Sequence, residues 1–216
     1  MTDVWPWLAL AGLGAFHGLN PAMGWLFSVA LGLQHRSRVK VLWSLVPIAA
    51  GHAISVAGVV ALLMLAGRVA DLDALRWIAA VSLIAFGLYR LSGRHKSRVT
   101  GMQVGFTDLT IWSFLMATSH GAGLMLLPVL VGMTSDNLHA AHMHGNSLPV
   151  GADAIGASLV VAVHTLAMLA VSGLIAVVIY ERVGLAFLRR GWINLDLLWA
   201  IALCAAGIII LIPLMI

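Results

Sequence analysis

The chain has 216 residues, of which 62% are hydrophobic and only 9% are charged, and its mean hydropathy is +1.03. Soluble domains carry about 25% charged residues on average. This composition excludes an ordinary soluble enzyme or a nucleic-acid-binding domain and predicts an integral membrane protein whose main partner is the lipid bilayer. The single cysteine, Cys204, excludes a disulfide or a paired-thiol redox centre.

Long apolar segments predict the number of membrane crossings. A transmembrane helix needs about 20 predominantly apolar residues. Six windows qualify: Trp5–Leu33, Val41–Ala66, Leu75–Leu91, Leu109–Met133, Ile155–Tyr180 and Leu195–Ile216. The sequence therefore predicts an all-α protein with six transmembrane helices that form one membrane domain.

The basic residues between these windows predict the orientation of the chain. Cytoplasmic loops of membrane proteins are enriched in lysine and arginine. Most of the chain's basic residues follow windows one, three and five: Arg36, Arg38, Lys40, Arg90, Arg94, Lys96, Arg98, Arg182, Arg189 and Arg190. We expect these connections to be cytoplasmic, which leaves both termini outside the cytoplasm.

The two halves of the chain resemble one another in the placement of histidine. A His-Gly pair occurs in window one at His17 and in window four at His120, while windows two and five each carry one histidine, His52 and His164. Because each half has three crossings, an odd number, the second half crosses the membrane in the opposite sense to the first. We therefore predict a 3+3 inverted repeat, with residues 1–104 and 105–216 as its halves. Secondary transporters commonly use this plan.

Helix-breaking residues predict interruptions in helices one and four. Pro21 lies in the middle of window one, where it removes an amide donor and clashes with the preceding turn. We expect the first helix to break near Asn20. In window four, small residues follow Ser119, and we expect Pro128 to disturb the helix two turns after His120.

Four intramembrane histidines are the candidate site. Ionisable side chains are costly inside a bilayer and usually mark ion or substrate pathways. Imidazole binds zinc, nickel, copper and cobalt, and it also takes up protons near neutral pH. We therefore predict metal ligands at His17, His52, His120 and His164, with Asn20 and Ser119 as substrate-binding neighbours. The metal ion is substrate or ligand, and no organic cofactor is predicted.

A second group of candidate residues lies toward the ends of the helices. His139, His142 and His144 lie around Met143 in the outer loop between windows four and five, a composition suited to capturing copper, nickel or zinc. Asp108 and Asp153 are placed to attract a cation at either mouth, and capping of helices four and five is the other role that suits them.

The segment from His17 to Leu31, together with Gly51-His52-Ala53-Ile54-Ser55-Val56, resembles a family of bacterial membrane proteins. The similarity is to the six-span lysine-exporter superfamily, and within it to the nickel/cobalt and hydrogenase/urease-accessory metal permeases. The resemblance implies a central site between inverted repeats in the bacterial inner membrane. That branch carries a His-x-x-x-Asp-His motif, whereas this chain has neither the acid nor the second histidine after His17.

Three functions remain open from the sequence. The leading one is a secondary transporter of a transition-metal cation, with the four histidines at a central site. The second is an exporter of a small organic solute, such as a basic amino acid, with the histidines relaying protons. The third is a redox membrane protein whose histidines hold haem or a metal centre. No enzymatic nucleophile and base are paired in the sequence, and the sequence leaves open whether the chain forms a homo-oligomer.

Overall fold

The computed structural model describes residues 4–66, 72–92, 105–130, 154–183 and 195–215. Most of these residues are helical, and no strand occurs among them. The described residues include seven α-helices: α1 Trp5–Leu19, α2 Trp25–His35, α3 Arg38–Ala66, α4 Leu72–Leu91, α5 Phe106–Ser119, α6 Ala154–Val178 and α7 Leu195–Met215. The all-α prediction is confirmed for this part of the chain.

Among the residues that the structure describes, two helical segments are long and apolar enough to cross a membrane. They are Arg38–Leu65 and Ala154–Arg182, and each keeps only 33% of its most apolar window buried in the protein. A third span results if α5 and the segment Leu124–Leu130 are taken together. Large hydrophobic side chains such as Trp43, Leu62 and Leu166 are exposed on the outside of the bundle, as expected for a surface that faces lipid.

The predicted break in the first apolar segment is confirmed. Helix α1 ends at Leu19, Asn20 adopts an extended backbone, and a short 3-10 turn follows at Pro21–Met23. Gly24 then takes a φ of +122°, which only glycine adopts without strain, and α2 begins at Trp25. The proline and the glycine together explain why one apolar run forms two helices.

The second break lies earlier than the sequence analysis expected. Helix α5 ends at Ser119, and the segment Leu124–Leu130 leaves its axis by 50°. The turn between them contains Gly121, whose φ is +69°. Pro128 lies within the first turns of the new helical segment, where a missing amide donor removes little hydrogen bonding. The expectation that Pro128 disturbs the helix was therefore wrong, and the break lies at residues 120–123.

Helices α1 and α6 pack closely and run in the same direction. A methyl group added at Gly14 would collide with the backbone oxygen of His164, and one added at Gly18 would lie 2.5 Å from the carbonyl oxygen of Met168. The Ser172 hydroxyl donates to the Gly18 carbonyl over 3.1 Å. Glycine at these two positions allows the two backbones to approach, which is how polar bonds form between membrane helices.

Helices α3 and α5 form a second parallel pair of the same kind. A methyl group at Gly51 would collide with the backbone oxygen of Thr110. The Ser113 hydroxyl donates to the Ile48 carbonyl over 2.6 Å, and the hydroxyls of Ser55 and Thr118 lie 2.9 Å apart. Helices α4 and α7 form an antiparallel pair, and α3 also packs against α6. The site described below lies where the two parallel pairs meet.

Candidate functional site

Three of the four predicted histidines meet in the middle of the bundle. His17 comes from the last turn of α1, His52 from the centre of α3 and His164 from α6, and all three are fully buried. Their ring centres are 5.6 Å apart for His17 and His52, 4.8 Å for His17 and His164, and 5.4 Å for His52 and His164. We call these three residues the histidine cluster.

Hydrogen bonds orient two of the rings. Nδ1 of His17 lies 2.8 Å from the Leu13 carbonyl, and Nδ1 of His164 lies 3.3 Å from the Leu10 carbonyl. Because a carbonyl only accepts, each of these Nδ1 atoms carries the proton and each Nε2 presents a lone pair. Metal-binding histidines typically donate their second nitrogen to a carbonyl in this way.

His52 makes no such bond. Within the part of the chain that the structure describes, neither of its ring nitrogens has a hydrogen-bond partner, and Nε2 of His164 has none either. A buried polar atom without a partner costs about 1–3 kcal/mol. These atoms are therefore the ones that a bound ion or proton would stabilise most.

The separations of the three ring centres are close to those of imidazoles around one metal ion. Three imidazoles bound tetrahedrally to one metal have ring centres about 5 Å apart, because each metal–nitrogen bond is about 2.0–2.1 Å long. Among the described residues, however, no group of three or more His, Cys, Asp or Glu side chains is already arranged to hold a metal ion. Coordination of one metal ion by the histidine cluster would therefore require the cluster to rearrange.

His120 lies against a buried arginine. It follows the last residue of α5 and is 1% exposed, and its Nδ1 donates to the Met116 carbonyl over 2.8 Å. Its Nε2 lies 3.3 Å from Nη2 of Arg90, so the guanidinium donates to the lone pair of the ring. The Ser119 hydroxyl lies 3.4 Å from Nδ1 of the same ring and donates to the Met116 carbonyl.

The side-chain amide of Asn20 is hydrogen-bonded through its oxygen but not, among the described residues, through its nitrogen. Its Oδ1 accepts from the backbone N–H of Ala22 over 3.0 Å, which caps the short turn after α1. The residue is 4% exposed, and its Nδ2 lacks a hydrogen-bond partner among the described residues. In this orientation Asn20 offers a donor to a ligand, and its oxygen, which accepts one hydrogen bond, keeps a second lone pair.

The remaining predicted site residues lie elsewhere. Asp108 is exposed at the start of α5, and its carboxylate accepts from the Gly105 backbone N–H over 2.9 Å, so it caps the helix. The predicted ligands of the outer loop and the second acidic residue lie outside the described residues, namely His139, His142, His144 and Asp153.

Arg90 is a component of the interior that the sequence analysis treated only as an orientation signal. It is 9% exposed and points toward His120. The spacing of residues along α4 indicates that Arg90 lies on the buried face of the helix. Ala80, Leu83, Gly87 and Arg90 recur every three or four residues along α4, and all of them are buried.

Comparisons with known proteins give no further assignment. The chain matches no protein-family model, no curated protein and no solved structure. The histidine cluster and the helices that position it are therefore the features that indicate a function.

Proposed function

We propose that the protein is a secondary transporter that moves a transition-metal cation across a membrane through the histidine cluster. The observation that carries the proposal is the meeting of three fully buried imidazoles from three different helices. Structural stability gives no reason to place three such groups together, since burying unpaired polar atoms is costly. Imidazole suits Ni²⁺, Co²⁺, Zn²⁺ and Cu²⁺, which are the candidate substrates.

The broken helices favour a cation over an anion at this position. The C-terminal end of a helix carries a partial negative charge from its unpaired carbonyl groups. Helix α1 ends two residues after His17, so its carbonyl end lies beside the histidine cluster. Interrupted helices in secondary transporters use such ends to bind cations near the middle of the membrane.

The pairing of the helices supports the inverted repeat. If α1 with α2 corresponds to α5 with Leu124–Leu130, then α3 corresponds to α6 and α4 to α7. Under this correspondence the α1–α6 pair of one half matches the α5–α3 pair of the other, and the α4–α7 pair matches itself. These three helix pairs are the ones that pack most extensively. On this basis we propose six crossings in a 3+3 inverted repeat, which is the plan of the exporter superfamily that the sequence resembles.

The charged residues support one orientation in the membrane. Arg38 at the start of α3 forms an ion pair of 2.9 Å with Glu181 just beyond α6, so these two helix ends lie on the same side. The basic residues Arg36, Lys40 and Arg182 belong to the same two connections. The positive-inside rule makes this side cytoplasmic. In the bacterial inner membrane, both termini would then lie outside the cytoplasm.

The two parallel helix pairs suggest how the site opens. His17 and His164 belong to the α1–α6 pair, whereas His52 belongs to the α3–α5 pair. Transporters with inverted repeats commonly rock one bundle against another around a fixed site. Relative motion of the two pairs would bring His52 toward the other two rings or withdraw it. The metal would thus be bound when the pairs meet and released when they separate.

A flux assay in liposomes tests the proposal. The purified chain is reconstituted with a metal-sensitive dye inside, and Ni²⁺, Co²⁺, Zn²⁺ or Cu²⁺ is added outside. We expect saturable entry of at least one metal, at least about tenfold above protein-free liposomes. Simultaneous replacement of His17, His52 and His164 by alanine should abolish it, while His35→Ala on the exposed end of α2 should not. Equal flux through the triple variant, or no flux of any of the four metals through the folded protein, would contradict the proposal.

A second function is favoured by one observation. The buried guanidinium of Arg90 beside His120 places a fixed positive charge near the bundle interior, and such a group binds a carboxylate readily. An exporter of a small organic solute, with the histidines relaying protons, would use this charge. In the same liposomes, proton-dependent flux of an amino acid without any metal flux would establish this alternative.

A further inference from the structure

A buried methionine lies one helical turn from the histidine cluster. Met168 is fully buried on α6, four residues after His164, so the two side chains lie on the same face of that helix. Helix α1 packs against this turn, since a methyl group added at Gly18 would lie 2.5 Å from the Met168 carbonyl oxygen. Gly18 directly follows His17. Met168 therefore lies at the contact between the two helices that carry His17 and His164.

The contacts of Ser172 locate the sulfur of Met168. The Ser172 hydroxyl oxygen lies 3.5 Å from the Met168 Sδ atom and 3.1 Å from the Gly18 carbonyl oxygen. The thioether therefore lies beside the last turn of α1, which also carries His17. A hydroxyl has one proton, and a carbonyl accepts it more strongly than a thioether does, so the lone pairs of the sulfur remain available to a ligand. Three rotatable bonds let a methionine side chain adjust to such a ligand.

The acidic residues that the structure describes lie near helix ends and not in the middle of the bundle. Asp73, Asp108 and Glu181 are exposed, and Asp196 is the second residue of α7. The end of α1 supplies a partial negative charge of only about one half. The cost of desolvating an ion rises with the square of its charge, so it is about four times larger for a divalent ion than for a monovalent ion of the same size. The neutral donors of the histidine cluster therefore favour a monovalent cation.

We propose that the Met168 thioether is a fourth ligand beside the histidine cluster and that the preferred substrate is Cu⁺. Thioether sulfur selects Cu⁺ among the transition-metal ions, and imidazole binds copper as well. The charge and the softness of this donor set thus favour the same ion. Ni²⁺, Co²⁺ and Zn²⁺ bind to the imidazoles alone and remain substrates of lower affinity. The inference rests on the proposed function and adds to it the identity of the preferred metal.

Metal binding to the purified, chelator-washed chain tests the fourth ligand. Cu⁺ is kept reduced with ascorbate and titrated against the chelator bathocuproine disulfonate, and Zn²⁺ binding is measured by isothermal titration. Met168→Leu keeps the size and apolar character of the side chain but removes the sulfur. It should lower the Cu⁺ affinity at least about tenfold, the smaller of the losses typical for a partner in a metal site, and leave the Zn²⁺ affinity unchanged. Met125→Leu, at a buried methionine packed among apolar side chains such as Leu127 and Leu203, should change neither affinity.

X-ray absorption at the copper edge identifies the ligands directly. Sulfur scattering should accompany the imidazole scattering in the native chain and in Met125→Leu, and it should be absent from Met168→Leu. An unchanged Cu⁺ affinity or spectrum in Met168→Leu would overturn the proposal, as would an equal loss of Cu⁺ and Zn²⁺ affinity, which would give Met168 only a packing role. A native chain that binds Zn²⁺ at least as tightly as Cu⁺ would also overturn it, while leaving metal transport intact. A native chain that binds neither Cu⁺ nor any of the divalent ions would overturn the proposed function as well.

Discussion

Replacing His52 with alanine is expected to lower the affinity for the transported metal at least about 100-fold. Loss of an outer-shell partner alone typically costs 10–100-fold in metal affinity, and His52 is proposed as a direct ligand. The variant is informative because neither nitrogen of His52 is bonded to another described residue. Its removal therefore breaks no hydrogen bond to any residue that the structure describes. Isothermal titration of chelator-washed protein with Ni²⁺, Co²⁺, Zn²⁺ and Cu²⁺ measures the effect.

Two controls make the His52 result specific. His35→Ala changes an exposed histidine at the end of α2 and should leave the affinity unchanged. His52→Gln keeps a polar side chain of similar length but removes the imidazole, so it should lose most of the affinity as well. Full metal affinity in either His52 variant would show that the histidine cluster does not bind the metal.

The second large effect is expected at Gly14, where alanine should lower the free energy of unfolding by about 1–3 kcal/mol. Its new methyl group would collide with the backbone oxygen of His164 and would lie 3.0 Å from the Ala167 Cβ. Neither atom yields without moving α6 away from α1. Because His17 and His164 lie on these two helices, the same displacement should weaken metal binding.

Gly12→Ala is the matched control for Gly14. It lies one half-turn away on the same helix, and a methyl group there meets nothing within 4 Å. Alanine has a higher helix propensity than glycine, by about 1 kcal/mol, so this variant should be neutral or slightly more stable. Reversible unfolding in detergent micelles measures both variants. Equal stability of the two would contradict the close packing of α1 against α6.

Local backbone breaks are the part of the fold that the sequence predicts best. Pro21 and Gly24 act on their own neighbours, so the end of α1 could be placed without knowledge of the rest of the protein. The break after α5 was misplaced because Pro128 is a strong signal, whereas Gly121 is one of many glycines. A proline near the start of a helix is tolerated, and only the structure shows where that helix starts.

The sequence predicts which face of α1 is closely packed, but it does not predict which helix brings the other histidines to that face. Gly14, His17 and Gly18 lie on one face of α1, and small residues on a face indicate close packing of that face against another helix. Which helix packs there depends on long-range contacts that one sequence does not specify. For this reason the prediction grouped all four histidines, while the structure shows ring contacts among three of them and places His120 against Arg90 as an electrostatic neighbour of His17.

X-ray absorption spectroscopy of the metal-loaded protein tests the central claim most directly. The protein is loaded with the tightest-binding of Ni²⁺, Co²⁺, Zn²⁺ and Cu²⁺ and washed free of excess metal. Three imidazole ligands are predicted, with metal–nitrogen bonds of about 2.0–2.1 Å for Zn²⁺, and the number should fall to two in His52→Ala at saturating metal. A spectrum without imidazole scattering, or one that His52→Ala leaves unchanged, would contradict a metal site at His17, His52 and His164.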